Sequence, residues 1–106
     1  MIYRFLPKAE IGLNDAVDYY ESCQAGLGTD FLLKVHQTIS RIVEYPDGWT
    51  EVSSNCRRCL TNRFPFEIIY SIQDDFILIL AVANQHRHPD FWKNRQLKTT
   101  QLLVAH

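Results

Sequence analysis

Nowhere does this chain carry the roughly 20 consecutive apolar residues that a bilayer-spanning helix needs. The run of eight from Phe76 to Ala83 has the length of a buried strand. Cysteine is scarce and odd in number, three in 106 residues, which argues against a disulfide framework. No internal repeat, linker or low-complexity tract interrupts the chain. The opening MIYRFLP lacks the basic segment and apolar stretch of a secretory signal. The expected place is therefore the cytoplasm, with no membrane partner. A net charge of −1 points to no class of ligand, and 46% hydrophobic content is ordinary for a globular protein.

What is present is one domain's worth of chain, residues 1–106, long enough for a core but not for two. Residues 1–56 hold four Lys/Arg against eight Asp/Glu, a balance of −4. Residues 57–106 hold seven against four, a balance of +3. This division places a positive field on the later half, which favours an acidic partner, protein or nucleic acid.

Periodicity assigns the elements. Tyr3 to Leu6 reads as a short strand stopped by Pro7, which suits a helix's first turn because its missing N–H would be unpaired there. Ala9, Leu13, Ala16, Val17 and Tyr20 then recur at helical spacing, predicting a helix from Lys8 to Ser22. Glycine in Ala25-Gly26-Leu27-Gly28 ends it with a positive φ, and Thr29 is the expected cap of a second helix. Leu32, Val35, Ile39, Ile42 and Val43 form that helix's buried stripe, and Pro46 closes it at Tyr45. Residues 52–55 read as loop and Arg57 to Asn62 as a polar strand. Phe64 to Ile72 and Phe76 to Ala83, separated by Gln73-Asp74-Asp75, predict an antiparallel hairpin. Both phases of the second run are apolar, so it should be buried on both faces. Phe91 to Lys93 can be a short helix or extended tail, and 97–104 a last strand, helix or partner-ordered segment. The fold class is α+β: a two-helix antiparallel hairpin packed on a small, mostly antiparallel twisted sheet.

Several groups carry chemistry. Arg57-Arg58 followed by Arg63 forms a basic cluster that either solvates a sheet edge or grips acids through guanidinium forks. At the exit of the last strand, Asn84, Gln85, His86, Arg87 and His88 adjoin Pro89, Phe91 and Trp92. Buried strands delivering a polar and aromatic rim are a common way to position function. There His86 can serve as general base or acid and Arg87 as brace for a phosphate. Phe91-Trp92, beside Lys93 and Arg95, can stack on bases or pin the tail. Cys56-Arg57-Arg58-Cys59 has zinc-site spacing, and His86 and His88 would complete four ligands. Against this, a strand through 57–62 sends the two cysteines to opposite faces, so no metal and no cofactor are expected.

The ordered set YYE, GLGTDF, RFPFEIIY, AVANQHRHPDFW and Arg95 resembles the RelE/ParE toxin superfamily of plasmid-stabilisation and type II toxin–antitoxin systems. The resemblance spans residues 3–95 and leaves 96–106 as a tail. It implies a toxin silenced by a small cognate antitoxin. The surface implied for that partner comprises Arg57, Arg58, Arg63, Arg87, Trp92 and Arg95. RNA-cleaving members carry basic residues on the central strands and an aromatic hydroxyl near the C-terminus. The matching positions here hold Glu67, Gln85, and Phe91 or Trp92. These departures shift the expectation from an mRNA endoribonuclease acting on ribosomes to a non-enzymatic DNA gyrase inhibitor of the ParE-like branch. The alternatives are a metal-independent nuclease using His86, Arg87 and Arg63, or a degenerate, non-toxic binding domain.

Overall fold

In the computed structural model, which describes residues 1–87 and 91–92, strand β1 (Ile2–Phe5) turns at Pro7 into helix α1 (Pro7–Cys23). Proline sits in the first turn, and the Leu6 carbonyl accepts the N–H groups of Ala9 and Glu10 at 3.0 and 3.1 Å. Helix α1 buries Ala9, Leu13 and Ala16. Small side chains bring it close to the sheet: a β-carbon on Gly12 would lie 3.1 Å from the Val82 carbonyl.

Helix α2 (Leu27–Glu44) follows after three residues. Its N-cap is Gly26 at φ 86°, not Thr29. The left-handed conformation that a side chain resists is needed before the expected threonine is reached. The Glu21 carboxylate does the capping, accepting the N–H of Gly26 at 2.9 Å and of Gly28 at 3.0 Å. The buried stripe of α2 includes the expected Val35, Ile39 and Ile42, together with Phe31 and Thr38. Thr38 is satisfied by donating to the Lys34 carbonyl at 2.7 Å.

The remaining strands are β2 (Thr50–Ser53), β3 (Cys56–Leu60), β4 (Phe66–Ile72) and β5 (Phe76–Asn84), in spatial order β1-β5-β4-β3-β2. All pairings are antiparallel except β1 with β5. The segment read as loop over 52–55 contributes to an edge strand instead; TEVS has too little apolar content to announce one. Strand β4 starts two residues later than expected. Arg63 takes φ 74° and the Phe66 N–H bonds the Phe64 carbonyl at 2.8 Å, a tight turn that holds Phe64 and Pro65 off the ladder.

Every residue of β5 from Phe76 to Ala83 is buried, as two apolar phases require. A bulge at Leu80, opposite Ile69 and Tyr70, bends the pair. Tyr70, also buried, donates its hydroxyl to the Pro46 carbonyl and ties β4 to the end of α2. Burial pushes its pKa up to about 12 despite the nearby Arg57. Among the described residues no helix is long and apolar enough to cross a membrane. The short segment expected at Lys93 and the apolar pattern over 97–104 lie outside the described residues.

Gly28 gives a direct test of this packing. A β-carbon there would sit 2.7 Å from the Val17 carbonyl and 3.0 Å from the Glu21 side chain. Gly28→Ala should therefore destabilise by about 1–3 kcal/mol in chemical denaturation, although alanine favours helix by about 1 kcal/mol at an unobstructed site. A gain in stability would show that the two helices are farther apart.

Candidate functional site at the strand-end rim

Strand β5 ends where its hydrogen bonds are diverted. The Gln85 N–H goes to the Pro65 carbonyl at 2.9 Å, and Arg87 N–H closes a turn on the Asn84 carbonyl at 3.0 Å. Asn84 Oδ1 accepts the His86 N–H at 2.9 Å, an Asx-type turn that shapes the exit. His86 and Arg87 are thereby held in solvent. The Arg87 guanidinium stands 4.0 Å from the centre of the Phe91 ring, and Trp92 is buried at 3% exposure. Among the described residues neither His86 nor Arg87 has an acidic partner within ion-pair reach. The role of Asn84 was not anticipated; an asparagine two residues before the histidine was the available signal.

The arginines do not form one cluster. Arg57 and Arg58 alternate along β3 and point to opposite faces. Arg57 is half-buried and donates to the Trp49 carbonyl at 2.7 Å. Arg58 pairs with Glu67 at 3.5 Å on the face away from the helices, since Phe66, the neighbour of Glu67 in β4, packs on Phe31 of α2. Arg63 bonds Asp30 at 3.2 Å and lies 5.1 Å from the centre of the Phe64 ring. Trp92 is enclosed rather than displayed, whereas His88 and Arg95 lie outside the described residues. Cys56 and Cys59 are buried on opposite faces of β3, and burial raises both thiol pKa values.

Three of the segments that carried the resemblance meet at one corner. Tyr20 of YYE packs on Phe31 of GLGTDF and on Phe64 of RFPF, with ring centres 5.1 and 4.8 Å apart. Phe31 meets Phe64 and Phe66 at 5.2 and 4.9 Å. Thr61 Oγ1 lies 2.9 and 3.0 Å from the Phe64 and Phe66 carbonyls. Glu21 caps the glycines, and Arg63–Asp30 closes the outside. Arg63, expected on the partner surface and in the alternative nuclease set, thus also serves this corner.

The family model described as the ParE toxin of type II toxin–antitoxin system, parDE, matches residues 3–89. The chain belongs to the ParE toxin family. It is the toxin component of a type II system, which implies a cognate antitoxin. Among solved structures, a chain from the chromosomal ParDE toxin–antitoxin system of P. aeruginosa aligns with a TM-score of 0.68. Identity is 17%, over 79% of this chain and 95% of that one, so this likeness speaks for the fold. None of the curated proteins matches in sequence.

In this ParE toxin Glu67 is not a solvated edge carboxylate. Its side chain is 12% exposed, and desolvation raises its pKa above the usual value while Arg58 pulls it down. A raised carboxyl pKa gives a contribution to stability that is full below the unfolded value, 4.5, and is lost as pH rises through the folded one. Arg58→Gln removes the opposing influence. The Glu67 carboxyl midpoint, followed by NMR titration, should move further up, and the variant should lose stability once pH passes it. An unmoved midpoint would mean that the two groups do not interact in solution.

Proposed function

We propose that this toxin disables DNA gyrase by binding it, and that a small antitoxin with an acidic C-terminal segment neutralises it. The supporting observation is Glu67. It stands where RNA-cleaving relatives place an arginine, half-buried and paired with Arg58. A carboxylate there repels a scissile phosphate, and its partner guanidinium is already engaged. Gln85 supplies only an amide, whose Nε2 lies 3.4 Å from the Phe66 carbonyl, and neither Phe91 nor Trp92 can transfer a proton. Loss of one well-placed transition-state donor can cost about 10²–10³ in rate. Loss of several leaves little of the cleavage route.

The competing reading draws on His86 and Arg87, both exposed and without acidic partners among the described residues. Supercoiling by purified gyrase and primer extension on translating ribosomes separate the two. The toxin should inhibit supercoiling or trap cleaved DNA, and should leave the mRNA whole. Cuts at codon-defined positions that vanish in His86→Ala/Arg87→Ala, with supercoiling intact, would establish the nuclease instead.

For the antitoxin, the exposed Arg58, Arg63 and Arg87 are the surface we assign, while Arg57 and Trp92 support it from inside. Affinity measured by calorimetry should fall with added salt. Arg58→Glu/Arg87→Glu should weaken it by on the order of tenfold, two exposed pairs at up to about 1 kcal/mol each. Salt-independent, unchanged binding would move the interface to the helical hairpin.

A further inference from the structure

The two edges of the sheet are built differently. Edge strand β2 carries exposed Thr50 and Glu51 and a register irregularity between Glu51 and Ser53. Charge and irregularity are what keep an edge from pairing. Strand β1, the opposite edge, pairs with β5 in unbroken register and has neither proline nor bulge. It exposes Ile2 at 59% and Tyr3 at 38%, with Met1 beside them at 59%. Arg4 is the one charged residue of this strand. An edge this regular, with Ile2 and Tyr3 exposed, is suited to a strand partner that keeps Arg4 away from a like charge.

We propose that the partner is a second copy of this chain, joined about a two-fold axis through Tyr3. The backbone specifies the register. The Leu6 N–H bonds Ile79 of β5 at 3.0 Å, and strand N–H groups alternate sides. Tyr3 and Phe5 therefore turn their N–H and C=O groups outward. With Tyr3 opposite Tyr3 of the second copy, each tyrosine exchanges both backbone hydrogen bonds, and each Phe5 N–H meets the Met1 carbonyl opposite. Arg4 then faces Ile2, so no like charges are opposed. Of the two neighbouring registers that keep the helices on one side, one puts Arg4 against Arg4, which is unfavourable, and the other, centred on Ile2, leaves the outward groups of Phe5 unpaired. Bonding pattern and charge thus select the same alignment, and it is isologous, as a closed dimer requires.

Side-chain room agrees. Tyr3 and Phe5 share a face, with ring centres 6.0 Å apart. A hollow of about 280 Å³ lies beside Phe5, lined also by Pro7, Glu10, Ile11 and Asn14, where Met1 of the second copy arrives. On the other side of Tyr3, a groove of about 630 Å³ runs to Ile39 and Val43 of α2.

The test uses the free toxin in sedimentation equilibrium, with circular dichroism as the check on folding. The parent should show a concentration-dependent dimer mass. Tyr3→Lys, which opposes two ammonium groups across the axis, should remain folded and become monomeric. In a Cys23→Ser background, Tyr3→Cys should form a disulfide-linked dimer on mild oxidation. A hydrogen-bonded antiparallel pair sets its Cα atoms about 5.5 Å apart, within disulfide range. A parent that stays monomeric at all concentrations overturns the proposal. So does a dimer that persists in Tyr3→Lys with no link through position 3.

Discussion

Packing among Tyr20, Phe31, Phe64 and Phe66 is the contact on which the rest of the molecule depends. It joins the end of α1 and the start of α2 to the turn before β4, which lies far along the chain from both. Edge-on aromatic pairs add about 0.5–1.5 kcal/mol each beyond the area they bury. The polar part of the corner is local: Glu21 satisfies two N–H groups at the start of α2 that the helix cannot. The same carboxylate lies 3.0 Å from where a β-carbon on Gly28 would stand, so the cap and the close approach of the helices share one residue.

The corner also sets the rim. Pro65, held between Phe64 and Phe66, supplies the carbonyl that takes the Gln85 N–H and ends β5. His86 and Arg87 are therefore placed by a turn whose own position follows from the aromatic packing. This explains how segments that give the chain its family likeness can matter for function without contacting a target. A change at Phe64 would reach the rim through Pro65.

Legibility in the sequence followed the strength of local signals. The hairpin of β4 and β5 and the stripe Val35, Ile39, Ile42 were readable because burial imposes a period on side chains. Gly26 was narrowed to one of two glycines, but the choice rests on Glu21, seven residues before Gly28, and no periodicity reports that bond. Strand β2 was unreadable because an edge strand bonded on one side needs little apolar content. The basic cluster looked like one patch in the sequence. Strand alternation divided it, sending Arg57 under the helical layer and leaving Arg58 outside. Family resemblance pointed to Glu67 as a departure, but its burial and pairing depend on the register of β3 with β4.

Charge can now be placed more finely than by halves of the chain. Arg58 and Arg63 each already hold a carboxylate, from Glu67 and Asp30. An acidic partner reaching either one exchanges one ion pair for another, so the net gain there is small. Arg87 differs: its guanidinium stands 4.0 Å from the centre of the Phe91 ring, which orients it without cancelling its charge. Among the described residues it therefore offers an acidic segment more than Arg58 or Arg63 does. The rim's electrostatic pull should lie at the exit of β5, with the paired arginines setting its borders rather than its strength.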